Sequence, residues 1–156
     1  MSDIRFSAKS KETGFLDSYR TVLQEYINII FEAIGESDTG ITWYICKDDD
    51  LPDYPKKTDI YKIADFPIDF MTNLQYGRCN VIDRKIWIST SAIDTATDVG
   101  LIKDKENRKI IRHIILLVDV IMDEFTHIKT QADHGELNYE NQIREYRKKF
   151  WGRDKL

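Results

Sequence analysis

One segment limits the fold more than any other. From Glu106 to Thr130 apolar residues recur at helical spacing: Ile110, Ile114, Leu117, Val118, Ile121, Phe125 and Ile128 fall on one face, and Ile111, Ile115 and Met122 widen it. A helix so nearly apolar all round predicts the central buried helix of a domain. Its longest uninterrupted apolar run, Ile114 to Val118, is far short of the ~20 residues that span a bilayer. No membrane association is expected.

The rest of the chain supplies what such a helix packs against. Phe15, Tyr19, Val22, Leu23, Tyr26, Ile30 and Ile34 predict an amphipathic helix over Thr13 to Ile34, with Gly35 as its stop. The β-branched and aromatic run Ile41 to Cys46 reads as a strand. The charged, proline-broken stretch that follows, residues 47–59, reads as an acidic loop. Asp65 to Tyr76 is ambiguous between irregular chain and a short helix. "CNVIDRKIWIS", Cys79 to Ser89, reads as two strands joined by a tight turn at Asp83-Arg84, or as one longer strand with a polar interruption. Ser89 to Lys105 reads as a connection with short helical turns. Asp133 opens a last helix, with Glu136 three residues on as a capping box, and Tyr139, Ile143, Tyr146 and Phe150 form its apolar stripe. The first twelve residues read as a flexible start.

These elements predict a single α+β domain over 1–156: a small, mostly antiparallel sheet packed on an N-terminal helix and the buried helix, followed by a C-terminal helix. A chain of 156 residues, 42% of them hydrophobic, is long enough for one substantial core.

The net charge of −4 argues against a general nucleic-acid coat. The basic, aromatic end, Asn141 to Leu156, offers weak contact to a phosphate backbone; the plainer alternative is a solvated helix face. Cys46 and Cys79 form no CxxC motif and read as small apolar residues in a reducing compartment, although a disulfide between them stays open. With no signal-peptide pattern at Met1 to Gly14, a cytoplasmic location is the expectation.

Polar residues inside the apolar helix need a reason, because an unpaired buried charge is costly. Asp119, Asp123 and His127 are spaced four apart and stack along one face. Two carboxylates at that spacing repel, and burial raises the cost unless a cation is near or one is protonated. A metal at Asp123 and His127 supplies that cation. A protonated His127, or cations such as Lys109 and Arg112, is the alternative. His134 lies seven residues beyond His127, past an expected chain reversal, and completes a set of two histidines and one carboxylate that leaves positions open for water. Glu124 lies about 100° around the helix from Asp123, where a metallopeptidase keeps its general base. His113, ten residues before Asp123 and roughly 15 Å up the helix, reads as structural. The acidic loop lacks the spacing and the glycine of a calcium-binding loop. A di-iron helical site needs a second Glu-x-x-His, which neither His113 nor His134 supplies.

Over roughly Val81 to Trp151 the chain resembles the SprT/WLM-like zincin metallopeptidases. The resemblance rests on "KIWIST" at Lys85 to Thr90, then "DEFTH" at Asp123 to His127 on a long apolar helix, then "ADHGELNY" at Ala132 to Tyr139 leading into an aromatic helix. It implies a zincin-like fold and hydrolysis of peptide bonds in a peptide or protein substrate. Asp123, His127 and His134 would hold Zn2+, Glu124 would act as general base, and the strand edge near "KIWIST" would hold the substrate extended. Tyr139 would be an oxyanion stabiliser or a core residue; Asp119, read from its place on the helix, is a partner that orients His or Arg. Two departures matter. Asp123 stands where the family has the first histidine of His-Glu-x-x-His, which shifts preference toward Mn2+ or Fe2+ or loses the metal altogether. The step from His127 to His134 is one residue longer than in the commonest form. The alternative function is therefore a catalytically inactive zincin-like module that binds a protein or nucleic acid. The oligomeric state is left open.

Overall fold

The structure is a computed structural model that describes residues 1–7, 16–47, 51, 76–99 and 116–152. The acidic loop apart from Lys47 and Leu51, His113, and the helix expected from Glu106 to Ile115 lie outside the described residues.

Four strands and four helices are described, in the order β1 (Asp3–Phe6), α1 (Leu16–Ile34), β2 (Thr42–Cys46), β3 (Gly77–Asn80), β4 (Lys85–Ser89), α2 (Thr90–Val99), α3 (Leu116–Thr130) and α4 (Leu137–Trp151). The sheet order is β1-β2-β4-β3. The chain is α+β as expected, but the sheet is mixed rather than mostly antiparallel: β1 and β4 both pair parallel with β2, and only β3 pairs antiparallel, with β4. For β1 the physical reason lies at the N-terminus. Asp3–Phe6 is a strand, not part of a flexible start, and nineteen residues of α1 separate it from β2. A helix-length connection returns the chain in the same direction, which gives a parallel neighbour instead of a hairpin.

α1 forms because Leu23, Tyr26, Ile27, Ile30, Phe31 and Ile34 line one face and are buried. It ends in two backbone bonds, Gly35 N–H to the Glu32 carbonyl at 3.3 Å and Glu36 N–H to that of Phe31 at 3.1 Å, the pairing that closes a helix through a left-handed glycine. In β2 and β4 the alternation is clear: Trp43, Ile45, Ile86 and Ile88 are buried, whereas Tyr44 and Trp87 stack on the opposite face with ring centroids 5.1 Å apart. Trp43 donates its indole N–H to Asp38 at 2.9 Å, so its polar atom is satisfied within the core.

Val81 and Ile82, read from the sequence as strand, are in the turn that joins β3 to β4. Asn80 closes that turn by accepting the Asp83 N–H at 3.0 Å and donating to the Asp83 carboxylate at 3.0 Å, which leaves Ile82 exposed. α2 is a ten-residue helix where only short turns were expected. Its polar sequence hides it, since Ala92 and Ile93 supply its buried side chains among those described. Cys46 and Cys79 lie in β2 and β3, and no disulfide joins them.

α3 is the central helix, touching α1, α2, α4, β3 and β4. Because β4 has strands on both sides, its edge is not open. The outer strand next to α3 is β3. Gly77, the first residue of β3, allows a close approach: a Cβ there would lie 2.3 Å from Val120 Cγ1 and 3.3 Å from Glu124 Cγ.

Candidate metal centre

α3 places Asp123 and His127 one turn apart on the face toward α4, and the short turn after α3 brings back His134. The last helix does not begin at Asp133, as its capping signal suggested, but at Leu137. Gly135 sits at φ +87°, a left-handed conformation that interrupts any helix started at Asp133. Glu136 still reaches back, accepting the Asp133 N–H at 2.9 Å, and the Gly135 N–H donates to Glu140 at 2.8 Å. The capping residues therefore build the turn that carries His134 rather than the first turn of α4.

The three donors converge. Oδ1 of Asp123 lies 3.3 Å from Nε2 of His127 and 3.1 Å from Nε2 of His134, and the two Nε2 atoms are 3.2 Å apart. Ligand atoms held about 2.1 Å from a metal in a tetrahedron are separated by roughly 3.4 Å. The triangle of one carboxylate oxygen and two imidazole nitrogens matches that spacing, and these three residues can hold a metal ion.

The tautomer of His127 strengthens the fit. Its Nδ1 lies 2.7 Å from the carbonyl oxygen of Ala132, which can only accept, so Nδ1 carries a hydrogen. A neutral His127 then aims the lone pair of Nε2 at a carboxylate oxygen and at a second imidazole. Such a meeting of lone pairs is stable only with a proton or a cation between them. A carbonyl holding the far nitrogen of a ligating histidine is also the usual way its ring is oriented toward a metal.

Without a metal, protons fill the role. Burial disfavours charge on His127, but the hydrogen bond and charge of Asp123, the charge of Glu124 and the Ala132 carbonyl outweigh it and raise its pKa. Burial likewise opposes ionisation of Asp123, yet the hydrogen bonds and charges of His127 and His134 hold its carboxyl well below the usual range.

The other candidates take distinct places. Glu124 is buried, flanked by Gly77 of β3, and near enough for its charge to act on His127 and Tyr139. It is beside the donors and not among them. Asp119, one turn up α3, is also outside the donor set. Burial pushes its carboxyl up to about 6, with Arg147 opposing and Asp123 adding to the rise. Its Oδ1 is buried without a hydrogen-bond partner. Tyr139 is 1% exposed and is both core and site: its hydroxyl donates to Oδ1 of Asp123, and its ring stacks on His127 with centroids 4.5 Å apart and planes within 17°. Burial, then the neighbouring Asp123 carboxylate, keeps that hydroxyl protonated.

Two contributors escaped the sequence reading. The Ala132 carbonyl is a backbone group with no sequence signature. Arg147 was counted with the solvated basic face of α4, although its place eight residues after Tyr139 puts it near the same helix face and its Nε is buried. Comparison with family models, curated proteins and solved structures gave no match, so what this centre does follows from its own donors.

Proposed function

We propose that the chain is a metal-dependent peptidase of zincin type, with Asp123, His127 and His134 as metal ligands and Glu124 as general base. The observation that carries the reading is the convergence of three donors around a His127 whose tautomer is set by the Ala132 carbonyl. The charge balance supports it. Asp119, Asp123 and Glu124 are grouped on α3 with Arg147 as a counter-charge, and a divalent cation offsets the excess.

When bound, the metal would polarise the scissile carbonyl and lower the pKa of its water. The chain's own residues do the rest. Glu124, buried beside the donors, takes a proton on its carboxylate and returns it to the leaving amine. The outer strand β3, rather than β4, offers the edge for an extended substrate, because β4 is paired on both sides and Gly77 brings β3 against Glu124. The metal is Zn2+ in this reading, with Mn2+ and Fe2+ compatible with the carboxylate ligand.

The test is elemental analysis of the purified protein beside His127→Ala, followed by peptide cleavage by Glu124→Gln. One divalent ion per chain is expected, lost in His127→Ala. Glu124→Gln should keep the ion and lose roughly 10²–10⁴-fold in cleavage rate. A Glu124→Gln protein as active as its parent would sink the proposal. A second reading, a binding module without hydrolysis, is favoured by Asp123, whose ligand oxygen already accepts the Tyr139 hydroxyl. A bound ion with no cleavage across a mixed peptide library would select it.

A further inference from the structure

We propose that Tyr139 is a positioning residue that presents Oδ1 of Asp123 to the metal and makes aspartate workable where the peptidase motif carries histidine. The inference rests on the metal-site reading above and concerns how that site is built.

Tyr139 touches every donor. Its hydroxyl donates to Oδ1 of Asp123, its ring lies nearly parallel to that of His127, and it meets the ring of His134 with centroids 4.6 Å apart. His127 is thus held between the Ala132 carbonyl on one nitrogen and the Tyr139 ring on one face. Asp123 has no such backbone support. Its side chain is short and about a quarter exposed, and both imidazoles meet it through Oδ1. The phenol donates to that same oxygen and so helps to hold it toward His127 and His134. A histidine at position 123 would extend further than the aspartate, into the space held by the phenolic oxygen, so the phenol could not anchor it in the same way. Tyr139 and Asp123 are therefore matched, and each loses value without the other.

The matching gives a test that a purely structural role does not satisfy. Zinc affinity is measured by competition with a chromophoric chelator for the parent, Tyr139→Phe, Asp123→His and the double variant. Tyr139→Phe keeps the ring and its stacking. It should weaken zinc binding about 10–100-fold in the parent, the usual cost of losing a group that orients a ligand. In the Asp123→His chain the same change should cause no loss, or a gain. Equal losses in both chains, or no loss in the parent, would overturn the inference while leaving the metal site standing. A parent that binds no zinc would overturn the site itself.

A second measurement covers the case in which Asp123→His fails to fold. The zinc-induced rise in melting temperature should shrink in Tyr139→Phe relative to the parent. An unchanged rise, with only the metal-free melting temperature lowered, assigns Tyr139 to packing alone and defeats the proposal.

Discussion

Gly77→Ala tests the contact on which the placement of Glu124 depends. The added methyl carbon would meet Val120 Cγ1 at 2.3 Å, Glu124 Cγ at 3.3 Å and the Trp87 carbonyl oxygen at 3.4 Å. Non-bonded carbons rest about 3.5–4.0 Å apart, so β3 or α3 must move by more than 1 Å or Val120 must leave its rotamer. Overpacking of this kind costs about 1–3 kcal/mol. Opposing it, replacing glycine stiffens the unfolded chain and contributes about 0.4–1 kcal/mol of stability. The net expectation is a loss of about 1–2 kcal/mol, or roughly 2–8 °C in melting temperature for a chain of this size. Urea denaturation of the metal-free protein measures it. Val120→Ala removes the nearest carbon, so the double variant should be more stable than the sum of the single losses predicts. A Gly77→Ala protein as stable as its parent, or a strictly additive double variant, would refute the packing of β3 on α3 and, with it, the substrate edge beside Glu124.

Three further outcomes follow from the same contacts. In the presence of chelator, the Asp123–His127 pair should give stability a pH profile with two limbs. His127 has a raised pKa, so its contribution is full below about pH 6.5, its unfolded value, and is lost as pH rises through the folded one. Asp123 has a lowered pKa, so its contribution is full above about pH 4 and is lost as pH falls through the folded value. Melting curves across pH should show both limbs, and His127→Ala should abolish the alkaline one. Asp119 works the other way. Its rise to about 6 from 3.8 means that the folded state resists its ionisation, so stability falls as pH climbs through that interval. At ~1.4 kcal/mol per pH unit the penalty is at most about 3 kcal/mol, and Asp119→Asn should recover about 1–3 kcal/mol at pH 7.5 by urea denaturation. Trp43→Phe takes the indole donor from the Asp38 carboxylate and removes one ring from a fully buried site, and should cost at least about 1–2 kcal/mol in the same assay.

The donor set was legible in the sequence because helical spacing is nearly rigid. Asp123 and His127 four residues apart must share a face, and a glycine after His134 announces the turn that brings it back. β1 was not legible. "DIRF" buries only Ile4 deeply, and its partner Thr42–Cys46 arrives only after the whole of α1, so no local pattern distinguishes it from a polar start. α2 was hidden for a similar reason, since a helix whose burial is concentrated in Ala92 and Ile93 leaves little periodic signal. The parallel pairing of β1 with β2 could not be read without β1 itself, and that of β2 with β4 leaves no local signal. The reading of Glu136 as a capping residue identified the right hydrogen bond, from Asp133 N–H, but the wrong consequence, because the conformation of Gly135 decides where the helix starts.

Tyr139 marks the limit of periodicity as a guide. Its position in the stripe with Ile143 and Tyr146 predicts a buried face, and the residue is buried. Periodicity assigns a direction to the side chain but does not say which atom meets the hydroxyl at its end. That depends on how α4 packs on α3 and on the length of the turn between them. Once Oδ1 of Asp123 is found there, the aspartate has a physical partner in the tyrosine hydroxyl. A carboxylate lost from such a site would leave the phenol buried without this acceptor. The aspartate is the side chain that this tyrosine accommodates, so on the proposed reading the donor set is built around Asp123.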